Sequence, residues 1–241
     1  MNERGLMGQI EAELVGAGIG DLLVGDVREH LETFIREVVL WSGRIHLVGK
    51  SNIRKTLSTL VIDSFLLLDF ARRTGALNQS GEGDAEHDGS RSLRSGRCER
   101  KRSLMVADIG SSAGFPGIIW KIGCPDLDVT LFERKEKYRL FLEHVISVLG
   151  VEALRALGED ASRYDGAHPF DLVVSKAAGR MKGMLPIARE LLCNGGVYVT
   201  VKGRGWEEEL AMAGETGMAL ETSEYLPEHR GAMVIFRKRG V

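Results

Sequence analysis

The stretch VADIGSSAGFPGI, residues 106–118, joins an apolar run to a glycine-rich turn and the start of a helix. Gly110 and Gly114 permit positive φ angles and a close backbone approach. Pro116 suits the first turn of the helix that follows. Open parallel sheets bind ligands at the carboxyl ends of their strands, near the switch in strand order. The stretch therefore predicts a loop that holds a nucleotide-like ligand.

Strand and helix patterns alternate after this loop, which is typical of a mostly parallel, twisted sheet with helices on both faces. The last two strands have no helix between them, which indicates an antiparallel strand at one edge. The expected fold class is thus α/β. The patterns predict strands at 104–109, 128–133, 153–157, 170–177, 196–203, 218–225 and 232–238, and helices after Pro116, at 135–149 and at 182–193.

Three segments are predicted from composition and periodicity. Residues 1–75 form an N-terminal helical region, with helices at 27–41 and 54–73, and residues 103–241 form the ligand-binding domain. Residues 76–102 are rich in Gly, Ser and charge, so they cannot bury enough apolar surface to offset their ordering entropy. We expect a flexible insert there, either a mere linker or a segment whose basic half contacts an anionic partner.

The composition narrows the function classes. A net charge of -2 argues against non-specific wrapping of long nucleic acid, which needs many uncompensated cations. Three scattered cysteines without metal-ligand spacing indicate a reducing compartment and no metal site. The N-terminus lacks the apolar core of a signal peptide, and no apolar run is long enough to span a bilayer. We therefore expect a cytoplasmic protein without a membrane segment.

The acids around the loop favour one cofactor over another. The loop does not have the G-x-G-x-x-G spacing of nicotinamide enzymes. Asp108 stands just before the first glycine, and Glu133 follows the second strand, where a carboxylate suits ribose hydroxyls. S-adenosylmethionine carries a cationic amino group and a sulfonium, so an acid at the strand end fits that ligand.

Several motifs together resemble one family. The loop DIGSSAGFPGI, residues 108–118, is followed by Leu131-Phe132-Glu133 and then by Lys137, Phe141 and Leu142; further motifs are Ser175-Lys176-Ala177, Lys202-Gly203 and the segment that begins at Trp41. This pattern resembles the small-subunit ribosomal RNA guanine-N7 methyltransferases, also called the glucose-inhibited division protein B family. The resemblance covers most of the chain apart from the insert.

The resemblance implies a Rossmann-like class I methyltransferase fold that transfers a methyl group from S-adenosylmethionine to N7 of a guanine in small-subunit (16S) ribosomal RNA. The substrate would be the RNA or a subunit particle, and the chain a monomer. The N7 lone pair attacks without losing a proton, so no general base is expected and catalysis is mainly positioning. Expected cofactor contacts are Asp108, Gly110, Ser111, Ser112, Gly114, Phe115, Glu133 (ribose), Asp160 (adenine amino group), Ala161, Ser162 and Lys176.

Basic side chains are the candidates for RNA contact and for catalysis. Lys176 and Lys202 are the expected catalytic residues, both at carboxyl ends of strands; for Lys202, contact with RNA and a solvated loop lysine are equally open. Trp41 could stack on a base, although a tryptophan that closes a helix is more often core. The predicted RNA-binding residues are Arg44, His46, Lys202, Arg204 and Arg230, with Lys50, Arg54 and Lys55 as further candidates on the same rim.

Departures from the family pattern support a second hypothesis. Ser112 stands where the family has glycine, and its Cβ is expected to be tolerated only with a negative φ. Other departures are Glu133 for aspartate, Lys176 for arginine, Leu60 for histidine and Ser162 for glutamate. The alternative is a non-catalytic RNA-binding protein on a methyltransferase fold with a degraded cofactor pocket. A nicotinamide oxidoreductase is disfavoured by the loop spacing and by the closing strand pair.

Overall fold

A computed structural model describes residues 3–49, 52–78, 103–165 and 169–240 of the chain. Helices come first, and an alternation of strands and helices follows. The N-terminal region holds α1 (Glu3–Gly16), a short 3-10 helix (Gly20–Leu23), α2 (Asp26–Ile45) and α3 (Ile53–Arg73). The helices of the second part are α4 (Gly117–Gly123), α5 (Glu136–Leu149), α6 (Met181–Leu191) and α7 (Trp206–Ala211).

Seven strands form one sheet in the order β3-β2-β1-β4-β5-β7-β6. The first five strands pair in parallel, whereas β7 runs antiparallel to both β5 and β6. This confirms the predicted α/β fold with an antiparallel pair at one edge. The strands are β1 (Met105–Ile109), β2 (Asp128–Phe132), β3 (Leu154–Leu157), β4 (Phe170–Lys176), β5 (Leu192–Lys202), β6 (Met218–Tyr225) and β7 (Ala232–Lys238).

The two faces of the sheet are covered by different helices. Successive side chains of a strand point to opposite faces, so β1 sends Val106 into one core and Ala107 and Ile109 into the other. The first core is shared with α1 to α5, and the second with α6 and α7. This three-layer arrangement leaves the carboxyl ends of the parallel strands accessible between the layers.

The N-terminal helices pack directly on the sheet domain. Phe34 of α2 contacts Phe115 of the glycine-rich loop, with ring centroids 5.1 Å apart. The indole N–H of Trp120 in α4 donates to the carbonyl of Ser64 in α3 at 3.2 Å. The N-terminal helices and the sheet therefore share one hydrophobic core rather than forming separate ones.

The remaining sequence predictions have different outcomes. Most of the predicted insert, residues 79–102, lies outside the described residues, so the three-part division of the chain stays a prediction. The short helix α7 was not anticipated from the sequence. Within the described residues, no helix combines the length and the apolar character that a bilayer crossing requires. The same residues contain no group of three or more His, Cys, Asp or Glu placed to hold a metal ion.

Candidate functional site

A cleft of about 370 Å³ opens at the carboxyl ends of β1, β2 and β3. It lies beside the switch in strand order, because β1 is flanked by β2 on one side and β4 on the other. Ligands of open α/β sheets bind at this position. The cleft is lined by Ile109, Gly110, Ser112, Phe132, Glu133, Arg134, Lys135, Tyr138, Glu159, Asp160, Ala161, Ser162, Ala178, Met184 and Ile187.

The glycine-rich loop has the backbone conformation that the sequence indicates. Gly110 and Gly114 have φ angles of 73° and 89°, which side chains rarely tolerate. The amides of Gly110 and Ser111 both donate to the carbonyl of Phe132, at 2.9 and 3.1 Å, and so bind the loop to the end of β2. A Cβ on Gly114 would lie 2.5 Å from Cδ1 of Ile118. The loop is therefore a tight turn that presents backbone to the cleft.

Ser112 overturns the expectation of a negative φ. Its φ is 48°, in the left-handed region where a β-carbon is unfavourable. Its amide N–H donates to Oε2 of Glu133 at 2.9 Å. The residue lines the cleft with a strained backbone, at the position where the family has glycine. The serine therefore adopts the left-handed backbone conformation that glycine favours, and not a conformation that is favourable for a residue with a β-carbon.

Glu133 is a buried carboxylate held in a fixed orientation. Its two oxygens accept the backbone N–H groups of Ser112 at 2.9 Å and Lys135 at 2.8 Å. Each carboxylate oxygen can accept more than one hydrogen bond. Glu133 therefore keeps acceptor capacity towards the cleft while its side chain is prevented from swinging.

Asp160 forms the next acidic element, at the end of β3. Its Oδ1 accepts hydrogen bonds from the amide N–H and the hydroxyl of Ser162, at 3.0 and 2.8 Å. Its Oδ2 accepts a hydrogen bond from Nη1 of Arg134 at 3.0 Å. The backbone N–H of Ser162 is the main cause that lowers the pKa of Asp160, with Arg134 adding to it. Asp160 is thus ionised and partly neutralised at the rim of the cleft.

The opposite wall of the cleft is apolar and was missed by sequence reasoning. Met184 and Ile187 come from α6, and Ala178 comes from the turn after β4. Nothing in the helical pattern of α6 distinguishes a cleft-facing apolar residue from a core one. Arg134 and Lys135 could have been found, because they directly follow Glu133 at a strand end. Further lining residues that were not predicted are Tyr138 and Glu159.

Asp108 does not face the cleft, contrary to the expectation from the sequence. Its side chain points to the opposite face of the sheet from Ile109, and Oδ2 accepts the N–H of Gly117 at 3.1 Å. Burial raises the pKa of Asp108 to about 7, although the hydrogen bonds to its carboxylate oppose that rise. The alternation of side chains along β1 explains this placement, since Asp108 and Ile109 are successive residues and point to opposite faces. Asp108 instead fixes the start of α4.

Ser111, Gly114 and Phe115 also lie behind the loop rather than in the cleft. The hydroxyl of Ser111 donates to the carbonyl of Asp108 at 3.0 Å. Phe115 is buried against Phe34 of α2. These residues build the turn and anchor it to the N-terminal helices, and their expected contact with a cofactor stays a prediction.

The two predicted catalytic lysines are engaged in ion pairs outside the cleft lining. Lys176 Nζ lies 2.9 Å from Oδ2 of Asp63 in α3, and burial lowers the pKa of Lys176 against the effect of this carboxylate. Lys202 donates to the carbonyl of Gly179 at 2.8 Å and pairs with Glu209 of α7 at 2.9 Å. Lys202 is therefore a paired lysine rather than a solvated loop lysine, and its contact with RNA stays a prediction.

The predicted RNA-binding residues divide into two groups. Arg44, His46 and Arg204 are exposed. Arg230 is exposed as well, but its guanidinium pairs with the buried Asp63 at 3.1 Å. Lys50 lies outside the described residues, whereas Lys55 is exposed and Arg54 is half-buried.

Trp41 and His144 lie side by side between α2 and α5. The ring of Trp41 lies 5.7 Å from that of Phe141 and 5.2 Å from that of His144. Trp41 thus packs on α5, and it lies one turn before the end of α2 rather than at the helix end that the sequence predicted. His144 is partly exposed and lies 2.9 Å from Oε2 of Glu37, away from the cleft.

Comparisons with known proteins identify related chains. The family model GidB, described as rRNA small subunit methyltransferase G, matches residues 92–228. A protein of Leifsonia xyli subsp. xyli named ribosomal RNA small subunit methyltransferase G is 34% identical over 143 residues, which cover 58% of this chain and 64% of that protein. A relative of the same name from Magnetococcus marinus is 26% identical over 220 residues, covering 88% and 87%. The chain spans less than two thirds of the first relative's length.

Solved structures show the same fold at low identity. A mutant of MtNAS in complex with S-adenosylmethionine superposes with a TM-score of 0.54 at 14% identity, over 88% of this chain and 76% of that one. A ribosomal protein L11 methylase from Lactobacillus delbrueckii subsp. bulgaricus gives 0.52 at 12% identity, over 76% and 80%. These similarities support the Rossmann-like methyltransferase fold.

Proposed function

Since the chain belongs to the GidB family, described as rRNA small subunit methyltransferase G, we propose that it transfers a methyl group from S-adenosylmethionine to N7 of a guanine in 16S ribosomal RNA. One observation carries the proposal: the cleft at the strand-order switch combines the Gly110 turn with Glu133 and Asp160 at the ends of β2 and β3. We further propose that the chain acts as a monomer in the cytoplasm, on the RNA or on the small subunit particle.

The cleft fits S-adenosylmethionine in size and in polarity. Its volume of about 370 Å³ lies within the range of about 300–1,000 Å³ that small-molecule sites occupy. One side presents the carboxylates of Glu133 and Asp160, which suit ribose hydroxyls and an adenine amino group. The other side presents Ala161, Met184 and Ile187, whose apolar surface suits the faces of an adenine ring.

When bound, S-adenosylmethionine supplies an electrophilic methyl group. In this proposal Glu133 orients the ribose, and the fixed carboxylate acts without rearrangement because two backbone N–H groups already hold it. The Gly110 backbone permits close approach, since a side chain there would project into the space before Ala178. No residue needs to remove a proton, because the in-plane lone pair of guanine N7 is the nucleophile. The chain's contribution is alignment of the two reactants.

RNA contact is proposed for four exposed basic side chains. Arg44 and His46 end α2 and Arg204 follows β5, and Arg134 adds a guanidinium at the mouth of the cleft that is 73% exposed. Exposed basic side chains suit the phosphates of a folded RNA. Each should contribute modestly, so a charge reversal at one of them should weaken RNA binding in a salt-dependent manner.

The test has a binding step and a transfer step. Calorimetric titration with S-adenosylmethionine measures affinity, and transfer of labelled methyl to 16S ribosomal RNA or to small subunit particles that lack the modification measures activity. Nucleoside mass spectrometry then identifies N7-methylguanine. Gly110→Arg should abolish both binding and transfer. Gly214→Arg is the matched control, because Gly214 has a similar φ of 70°, is exposed and lies outside the cleft.

The second candidate function, a non-catalytic RNA-binding protein, is favoured by one observation. Ser112 carries its β-carbon with a φ of 48° in the cleft wall, where the family has glycine. On this reading the chain binds ribosomal RNA and shows no heat of binding with millimolar S-adenosylmethionine. Micromolar affinity for the cofactor, or any transfer of methyl, would exclude it.

A further inference from the structure

Three charged side chains from distant segments meet beside the cleft. Asp63 of α3 is 5% exposed and lies between Lys176 at the end of β4 and Arg230 in the turn between β6 and β7. Its two oxygens are 2.9 Å from Lys176 Nζ and 3.1 Å from Nη2 of Arg230. The side chains of Lys176 and Arg230 are 13% and 34% exposed, so the Asp63–Lys176 pair is the more buried of the two.

A buried pair of this kind is expensive to desolvate, and apolar side chains of similar volume often do as well for stability. Removing one partner is costly because it leaves the other charge buried and unpaired. Packing alone therefore does not account for an ion pair between Asp63 and Lys176. A need to hold the backbone at the end of β4 in a particular conformation would account for the ion pair.

The next two residues, Ala177 and Ala178, show that the backbone is held in this way. Ala177 has a φ of 55°, a conformation that a residue with a side chain keeps only when its surroundings impose it. Ala178, which follows, lines the cleft opposite the glycine loop: a Cβ on Gly110 would lie 3.4 Å from that of Ala178. The left-handed turn at Ala177 thus sets the width of the cleft at this point.

The direction of the Lys176 side chain places it behind this wall. Val174, two residues earlier on β4, packs in the core shared with α3, and residues two apart on a strand share a face. Lys176 accordingly extends towards α3 and Asp63, whereas Ala178 lies beyond the turn on the cleft side. The ion pair can therefore fix the start of the turn without touching a ligand.

We propose that Lys176 is a positioning residue: its ion pair with Asp63 holds the left-handed turn at Ala177 and so keeps Ala178 in place as a wall of the cofactor cleft. Through this pair, helix α3 of the N-terminal region sets cofactor affinity. The proposal rests on the proposed function. It assigns Lys176 a role different from direct cofactor contact, which the family resemblance implies.

The experiment measures the Kd for S-adenosylmethionine on the full chain, at a temperature well below the unfolding of every variant. Lys176→Met and Asp63→Asn should each raise the Kd about tenfold, a typical size for coupling through a positioned element. The double variant should be no worse than either single one, because both changes break the same pair. Lys176→Arg keeps a cation that reaches Asp63, so its Kd for S-adenosylmethionine should lie within about threefold of the wild-type value.

Lys182→Met is the matched control, since this lysine is exposed in the first turn of α6. A purely structural role of the pair would lower the unfolding temperature of the variants and leave the Kd unchanged, which would overturn the proposal. An increase in Kd for Lys176→Met with none for Asp63→Asn would also overturn it, because that pattern means direct contact. If Lys176→Met does not fold, the Kd values of the other two variants decide. The proposal then requires a raised Kd for Asp63→Asn and a Kd close to that of the wild type for Lys176→Arg.

Failure of the proposed function and failure of the positioning role give different binding results. Wild-type protein that binds no S-adenosylmethionine overturns the proposed function, and the positioning role with it. Wild-type binding at micromolar ligand, together with unchanged affinity in Asp63→Asn and Lys176→Met, overturns the positioning role alone.

Discussion

Replacing Ser112 with glycine should stabilise the protein. Ser112 has a φ of 48°, and a non-glycine residue in the left-handed region costs about 1–2 kcal/mol. Glycine removes this strain but adds freedom to the unfolded chain, which costs about 0.5–1 kcal/mol. The difference predicts a gain of about 0.5–1 kcal/mol in the free energy of unfolding. For a chain of this size that corresponds to about 1–4 °C in Tm.

The contact that holds Ser112 to the site survives the change. Its hydrogen bond to Oε2 of Glu133 comes from the backbone N–H, so glycine can make it as well. Removing the β-carbon also removes bulk from the cleft wall. We therefore expect Ser112→Gly to bind S-adenosylmethionine at least as tightly as the wild type.

Urea denaturation and calorimetric titration measure the two effects. Ser112→Ala is the control, because alanine lacks the hydroxyl but keeps the β-carbon in the left-handed conformation. The reasoning is refuted if Ser112→Gly is less stable than the wild type, or if Ser112→Ala gains as much stability as Ser112→Gly. The second result would show that the hydroxyl, and not the backbone, is the source of the strain.

Three further predictions concern the glycine-rich loop, the strand before it and helix α2. Gly114→Ala should lower the free energy of unfolding by about 2–4 kcal/mol, because a β-carbon would lie 2.5 Å from Cδ1 of Ile118 at a φ of 89°; urea denaturation measures this loss. Burial raises the pKa of Asp108 to about 7, so its stabilising contribution is complete below the ordinary value of 3.8 and is lost as the pH rises through 7. Between pH 4 and pH 8, Asp108→Asn should therefore lose less stability than the wild type, by on the order of 4 kcal/mol in urea denaturation, and equal losses would contradict the assignment. Trp41→Ala should cost about 3 kcal/mol of stability through lost packing on Phe141, whereas weaker RNA binding at unchanged stability would place Trp41 in the RNA interface instead.

The order of strands and helices was predictable because it depends on local patterns. The alternation of apolar runs with amphipathic helices, and the absence of a helix between the last two strands, indicate a parallel sheet with an antiparallel pair at its edge. The position of the cleft followed as well, since the end of the first strand of such a sheet lies at the switch in strand order. Gly110 and Glu133 were predicted in this way, from their places after β1 and β2, whereas Asp160 was predicted from the family resemblance; all three line the cleft.

Tertiary pairing was not predictable from the same patterns. Lys176 stands at a strand end, where a cation could equally face a ligand or a neighbouring helix. Its partner Asp63 is 113 residues away in sequence, and only the packing of α3 on the sheet brings the two together. The same holds for Lys202, whose partner Glu209 lies on α7, a helix too short to be recognised from its sequence. A cation in a family motif thus indicated the right region of the fold but not its contact.

The contrast between Asp108 and Glu133 shows why position along the chain is insufficient at strand ends. Asp108 is the fourth residue of β1 and faces the core beneath α4, whereas Glu133 follows the last residue of β2 and faces the cleft. Asp108 is aligned with Leu131 inside the sheet, two residues before Glu133, so the two acids differ in their place relative to the strand end and not in the face that alternation gives them. An acid before the glycine loop therefore serves a different purpose from an acid after the next strand. Asp108 fixes the helix that follows the loop, and the ligand-facing charge at this edge comes from Glu133 and Asp160.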